Sequence, residues 1–338
     1  MKALLIGGTG VISSSITRLL LKKGWEVTLL NRGNRAEQFP GARQIIADIA
    51  DEADVAAKLG SETFDVAADF IAYVPEHVQR DIRLFRGRVG QYIFISSASA
   101  YQRPPVHPVI TEGTPLCNPY WQYSRDKIAC EDVLMAACRS EGFPVTIVRP
   151  SHTFATRSLP VPVHGKYGAY QVLLRMQAGK RVVIPDGGAS LWTVTASDDF
   201  AKGFVGLMGN VHAIGENVHI TSDESLTWNQ IMQVIAGALA VPYKPCYVPS
   251  TMLASIPGAD YAGCLLGDKS CSVLFDNSKI KRLVPDFVCT RRFDQAGPES
   301  VRYMISHPEQ YHPDPAFDAL CDRIVAIMEE AERKIAAL

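Results

Sequence analysis

Gly7-Gly8-Thr9-Gly10-Val11-Ile12-Ser13 stands between a short apolar run, Lys2 to Ile6, and a helix-patterned stretch reaching about Lys23, where Gly24 offers a stop. A glycine motif means little alone, but between a strand and a helix it has a mechanism. Gly7 permits the tight turn. Gly10 lets the backbone approach a pyrophosphate at the helix N-terminus, where unpaired N–H groups and the helix dipole favour negative charge. The third glycine of the usual pattern is Ser13, still small enough for close helix–strand packing. The motif predicts a Rossmann-type dinucleotide site with Gly7, Thr9, Gly10, Val11 and Ile12 along the cofactor.

Working outward, strand-like and helix-like segments alternate. Trp25 to Leu30, Gln44 to Ala47, Phe64 to Ile71, Gln91 to Ile95 and Val145 to Val148 read as strands, with a helix over Tyr120 to Arg139. Several are unbroken apolar runs, the signature of parallel strands buried on both faces. After Pro150 the texture changes. Residues 151–167 are Pro- and Gly-punctuated, Val182-Val183-Ile184 leads into a Pro185-Asp186-Gly187-Gly188 turn, and Ser197, Asp198 and Asp199 suit a helix start. Asp314 to Leu338 reads as a charged amphipathic helix. The expected architecture is α/β: a Rossmann-type doubly wound parallel sheet in residues 1–165, to which segments near 190–222 return. A smaller mixed C-terminal part, residues 166–338, covers the ligand crevice and binds substrate.

Composition narrows the function. Hydrophobic residues make up 47% of the 338 and charged residues 20%, so the chain buries a sizeable core. A net charge of −1 speaks against a nucleic-acid surface built on bulk charge. The N-terminal apolar run is too short for a signal segment, and no stretch approaches the ~20 apolar residues of a membrane span. The eight cysteines form no CxxC pair and no Cys/His cluster with metal-ligand spacing. Free thiols in a reducing cytoplasm, with no metal, are expected.

The end of the second strand should read the adenosine ribose: an acid there binds the 2′-hydroxyl, whereas an arginine neutralises a 2′-phosphate. The chain offers Asn31-Arg32-Gly33-Asn34-Arg35, with no acid. NADP is therefore favoured, with Arg32 as first contact and Arg35 in reserve. NAD stays open, since fold alone does not fix the choice. Asp48 is placed to meet the adenine, with Ile49 beside it, and Ile71-Ala72 end the fourth strand on the same crevice.

Tyr123 and Lys127 are four apart on a predicted helix, hence on one face. A lysine cation there lowers the tyrosine pKa and makes its hydroxyl a usable proton acceptor or donor. The strand Gln91 to Ile95 runs into Ser96-Ser97-Ala98-Ser99, which puts hydroxyls at the same carboxyl end. Ser97 is assigned to the reacting oxygen, with Ser99 beside it facing substrate.

With these motifs the chain resembles the extended short-chain dehydrogenase/reductase family, the NAD-dependent epimerase/dehydratase group. The likeness rests on Gly7–Gly10, Ser96-Ser97-Ala98-Ser99-Ala100-Tyr101, Tyr123/Lys127 and Arg149-Pro150. It extends to Asp186-Gly187, Asp198-Asp199-Phe200-Ala201 and Asp276-Asn277-Ser278-Lys279. It implies that Tyr123 is the general acid/base, that Lys127 lowers its pKa and holds the nicotinamide ribose, and that Ser97 orients the substrate oxygen. His152 falls where many relatives carry a substrate-facing asparagine. Trp192 falls about where nucleotide-sugar epimerases carry a diphosphate-clamping arginine, which puts a UDP-sugar in doubt because tryptophan cannot pair with phosphate charge. Relatives dimerise through two long helices, here Pro75–Phe85 and Tyr120–Arg139, so a homodimer is implied.

The expectation is an epimerase, dehydratase or reductase acting on a secondary alcohol or carbonyl of a small sugar-like substrate. Asn31-Arg32-Gly33 also resembles the atypical branch that includes chloroplast stem-loop RNA-binding proteins. The alternative is therefore a non-catalytic or RNA-binding Rossmann protein, which would need a clustered basic surface and leaves Ser97, Tyr123 and Lys127 unexplained.

Overall fold

Apolar side chains alternate across the central strands, and that alternation sets the layers. In β1 (Lys2–Ile6), Ala3 and Leu5 belong to one core and Leu4 and Ile6 to another, all fully buried, as a two-residue side-chain period requires. The structure is a computed structural model describing residues 1–33 and 39–338. The other strands of the large sheet are β2 (Glu26–Asn31), β3 (Arg43–Ile46), β4 (Phe64–Asp69), β5 (Val89–Ile95), β6 (Val145–Pro150) and β7 (Asn217–Ile220). Their order is β7-β6-β5-β4-β1-β2-β3, with seven strands all parallel. Ala3 pairs with Val27 on one side and Val66 on the other. The order reverses between β1 and β4, the switch point at which such sheets open a crevice beyond their carboxyl ends.

Helices cover both faces. α1 (Val11–Lys22) and α5 (Ser197–Leu207) pack on one, where Ile16, Leu20, Phe200 and Phe204 join Ala3 and Leu5. α2 (Glu52–Leu59), α3 (Pro75–Phe85) and α4 (Gln122–Glu141) pack on the other, through Val55, Val78, Ile82, Phe85, Cys130 and Leu134. Pro75 opens α3 at a position whose N–H would have no helical partner anyway. α4 stops at Gly142 in the left-handed conformation. A third core, holding Phe154, Val163, Trp192 and Trp228, gathers the short ladders 182–185 with 245–248, 152–154 with 194–196, and 191–192 with 226–227. Among the described residues no helix is long and apolar enough to cross a membrane.

Two local expectations change. β4 ends at Asp69 rather than Ile71, because the Asp69 carboxylate accepts the N–H groups of Ile71 (2.5 Å) and Ala72 (2.9 Å) and turns the chain out of the sheet. Ser197 does not cap α5. It lies inside the first turn, with its hydroxyl 2.9 Å from that of Ser15, and Ala196 occupies the cap position.

Candidate active site

The glycine loop is a cradle that only small residues fit. Gly7 has φ +78°, and a Cβ on it would lie 2.6 Å from Ile71 Cγ2 across the β1/β4 switch. Ser13 does more than stay small: its hydroxyl donates to the Gly7 carbonyl (2.8 Å) and accepts from Gly10 N–H (2.7 Å), tying the two ends of the loop together. The result is a groove of about 730 Å³, lined along one wall by Gly7, Thr9, Gly10, Val11 and Ile12. Asn31, Arg32, Asp48, Ile49 and Ile71 form the rest of the expected contacts. A dinucleotide fits these residues: a backbone N–H cradle at a helix N-terminus, and no side chain where a pyrophosphate must approach. Asn31 Oδ1 accepts Gly33 N–H (2.9 Å), and Asp48 accepts Ala50 N–H (3.0 Å). Arg35 lies outside the described residues. Ala72 is buried behind the wall, and its carbonyl receives Lys127. Arg80 also lines the groove, held between Asp81 (2.7 Å) and Asp69 (3.5 Å), an ion cluster under the β4 turn that no motif signals. A further cavity of about 390 Å³ meets the same helix N-terminus from the side of Arg157 and Arg291, sharing Thr9, Gly10 and Val11.

A smaller cavity of about 220 Å³ adjoins the carboxyl end of β5. It brings together Ser97, Ser99, Tyr123, His152 and Trp192, which in sequence are spread from residue 97 to residue 192. The Ser97 and Ser99 hydroxyls are 2.8 Å apart, and Ser124 donates to Ser99 Oγ (2.8 Å). Tyr123 packs against Trp121, ring centroids 4.9 Å apart. Burial pushes the Tyr123 hydroxyl up to about 12, partly opposed by its hydrogen bond with Ser97. That differs from the expected depression toward neutrality. Lys127 spends its ammonium on the carbonyls of Ala72 (2.6 Å) and Ile95 (2.7 Å), 5.8 Å from the Tyr123 ring centre. Burial also lowers the lysine to about 8. His152 falls to about 3, first through burial and then through the neighbouring charges of Lys269 and His164, so its imidazole is neutral across the physiological range.

Sequence reasoning missed the far wall. Arg103, Trp121, Asp268 and Phe275 complete the pocket. Arg103 is 2% exposed, and its Nη2 is 3.6 Å from Asp268 Oδ1. Burial lifts the Asp268 carboxyl to about 6, against the pull of Arg103 and Lys269. Among the described residues, two buried side-chain polar atoms lack a hydrogen-bond partner, Arg103 Nε and Trp192 Nε1. Both residues line this pocket, and leaving such a donor unpaired costs about 1–3 kcal/mol. The groove and the pocket abut at β5: Ile95 lines the first, Ser97 the second, and Lys127 holds the carbonyl of Ile95.

Residues 3–221 match the family described as NAD dependent epimerase/dehydratase family. The chain is 27% identical over 255 residues to the chloroplast stem-loop binding protein of 41 kDa b of Arabidopsis thaliana, covering 71% of this chain and 64% of that protein. It is 25% identical over 292 residues to the 2′-dehydrokanamycin reductase of Streptomyces kanamyceticus, covering 85% of this chain and 80% of that one. Among solved structures, an epimerase from Methanothermobacter thermautotrophicus superposes with a TM-score of 0.75 at 16% identity, covering 91% of this chain and 93% of that one. At that identity the likeness speaks for the fold alone.

Proposed function

The chain belongs to the NAD dependent epimerase/dehydratase family, and from that membership we propose an oxidoreductase acting on a secondary alcohol or carbonyl of a small sugar-like molecule. The observation that carries the reading is the junction at β5, where a dinucleotide-sized groove meets a pocket holding Ser97, Tyr123 and His152. Gly7, Thr9, Gly10, Val11 and Ile12 would hold the pyrophosphate side of the cofactor, and Asp48 and Ile49 the adenine. Bound there, a nicotinamide ring supplies the hydride acceptor or donor. Arg32 beside Asn31, with no acid at the end of β2, supports NADP over NAD.

Tyr123 moves the proton at the substrate oxygen. With its hydroxyl pushed up to about 12, it carries its proton at neutral pH. It is then ready to give it to the oxygen of a carbonyl under reduction, and the reverse reaction asks it to accept one. Ser97 and Ser99 offer hydroxyls to the same oxygen. Neutral His152 contributes a hydrogen bond without a charge. Lys127 ties β5 to the loop after β4, and its cation lies behind the tyrosine ring. Residues 166–338 supply Trp192 and Asp268 to the pocket, consistent with a substrate-binding role for that part of the chain. A reducing cytoplasm and a homodimer through α3 and α4 belong to the same proposal.

The test is mass spectrometry and absorbance of whatever nucleotide the denatured protein releases, followed by NADPH and NADH titration of the stripped protein. An empty protein that prefers NADPH supports a reductase with an exchanging cofactor. Retained NAD supports a redox-neutral epimerase cycle and removes the assignment of Arg32. Failure to bind either, with salt-sensitive binding of a stem-loop RNA in its place, overturns the enzymatic reading.

A further inference from the structure

Of the titratable residues that line the smaller pocket, one presents a charge to it. Arg103 has no exposed side-chain surface and reaches the carbonyls of Gln102 and Ala98. His152 is neutral, and Tyr123 keeps its proton. Two lysines lie nearby, but neither lines the cavity. The Lys127 ammonium is turned to the carbonyls of Ala72 and Ile95, and that of Lys269 to those of Val161 and Pro162, both at 3.3 Å. Asp268 does line it, with 14% of its side chain exposed and Arg103 Nη2 3.6 Å away. An ion pair that long leaves the carboxylate able to accept further hydrogen bonds. Burial lifts its carboxyl to about 6, so it is mostly ionised at neutral pH.

Much of the remaining wall is aromatic: Trp121, Tyr123, Trp192 and Phe275. Trp121 and Tyr123 stand 4.9 Å apart, Trp192 stacks on Trp228 at 5.7 Å, and Phe275 meets the His219 ring at 5.1 Å. The Trp121 indole donates to Asp260 Oδ2 (2.9 Å), which fixes its plane. One segment sets both features. The π-helical turn Ala262–Lys269 carries Asp268, and its Gly263 makes room for Trp121, whose Cδ1 would lie 2.2 Å from a Cβ there. Asn118 ties that turn to the serine loop, donating to the carbonyls of Ser99 (2.8 Å) and Gly267 (2.7 Å). Aromatic faces are negative and attract cations, and a carboxylate among them adds a counter-charge and a hydrogen-bond acceptor. An ammonium satisfies both, whereas a hydroxyl gains the hydrogen bond without the attraction to the rings. The volume, about 220 Å³, is below the ~300–1,000 Å³ of drug-sized ligand sites, so the molecule is of monosaccharide size.

We propose that this pocket selects a small amino sugar, whose ammonium is received by Asp268 among these rings while its reacting carbon meets Tyr123. The proposal rests on the oxidoreductase reading and narrows its substrate from sugar-like molecules in general to protonated amines.

The experiment is calorimetric titration of the full chain at pH 7 with glucosamine, glucose and N-acetylglucosamine. The first two differ in one group, an amine for a hydroxyl; the third keeps the nitrogen and loses its charge. Glucosamine should bind at least about tenfold more tightly than either neutral sugar. That advantage should shrink below about pH 6, where Asp268 takes up its proton. Tyr123 and the thiols of Cys264 and Cys271, all raised by burial, stay protonated there, and His152 stays neutral. Asp268→Asn should remove both the advantage and its pH dependence. Should that variant fail to fold, the wild-type order of the three sugars and its change below pH 6 decide the matter. Equal binding of glucosamine and glucose, including none of either, overturns the proposal, as does an advantage that survives Asp268→Asn. Tyr123→Phe separates the two readings: it keeps the ring, leaves glucosamine binding intact and removes turnover. Turnover surviving Tyr123→Phe sinks the catalytic assignment, whereas turnover on glucose without any preference for glucosamine sinks this inference alone.

Discussion

The groove and the pocket lie side by side, yet they are built on opposite plans. The groove is backbone: a glycine turn, a helix N-terminus and strand ends, with Ser13, Asn31, Asp48 and Asp69 bonded to the loops they shape. The pocket is side chain, and it leaves Arg103 Nε and Trp192 Nε1 unpaired. A cradle for a common dinucleotide is made of groups any chain possesses. A pocket that distinguishes one small molecule from another needs particular side chains brought from distant segments.

That contrast predicts where each substitution acts. Tyr123→Phe should lower kcat by about 10²–10⁴-fold while leaving cofactor affinity within error; a parallel loss of affinity would mean the two cavities are not separable. Lys127→Met should act on both sides of the junction. It removes the donor to Ala72 and Ile95, and kcat should drop about 10–100-fold. Because burial lowers Lys127 to about 8, wild-type activity should fall as pH rises through that value and the cation is lost, and the variant should lack that limb. Gly7→Ala should act on the groove alone, through a left-handed φ costing about 1–2 kcal/mol and a Cβ pressing Ile71 into the cofactor path. Urea unfolding and cofactor titration should both register it.

His152 sharpens the pocket side. Its folded pKa, about 3, lies below the ordinary 6.5, so the unfolded chain takes up the proton first. The contribution is complete above about pH 6.5 and is lost as pH falls toward 3, with a slope of at most about 1.4 kcal/mol per pH unit. His152→Gln should flatten the stability curve in that window; an unchanged curve would mean the imidazole is solvated. The smallest effect belongs to Arg32, which is exposed: Arg32→Ala should reduce the preference for NADPH over NADH by about tenfold or less. No change in that ratio would return the cofactor choice to NAD.

The same contrast explains what could be read from residues alone. Much of the groove comes from short runs in the first 71 residues: Gly7 to Ser13, Asn31-Arg32, Asp48-Ile49 and Ile71 each lie at or just past the end of a strand whose apolar run marks it. The Tyr123/Lys127 pair and the serines after β5 were legible for the same reason. In sequence Ser13 is only a small packing residue, because its hydrogen bonds across the loop depend on side-chain geometry that no spacing encodes. The depressed tyrosine pKa was expected from helix periodicity. Periodicity puts two residues on one face but does not show that Ala72 and Ile95 take the ammonium. Arg103 lies in an irregular stretch before Pro104-Pro105, and Asp268 in the short helical turn Ala262–Lys269. Neither has a pattern to announce it, and only the tertiary fold brings them to Tyr123.

The seventh strand carries a consequence for how the molecule is made. β6 ends at Pro150, but its outer neighbour, Asn217–Ile220, comes much later in the chain, after α5 has supplied Phe200 and Phe204 to the sheet's face. During synthesis the nascent sheet therefore waits with an unpaired edge and a half-covered apolar face until that segment clears the ribosome. A chain cut after residue 165 should be captured by chaperones or add strands from its neighbours. The intact chain should melt in one cooperative step, because its dinucleotide half is finished by residues from beyond that half.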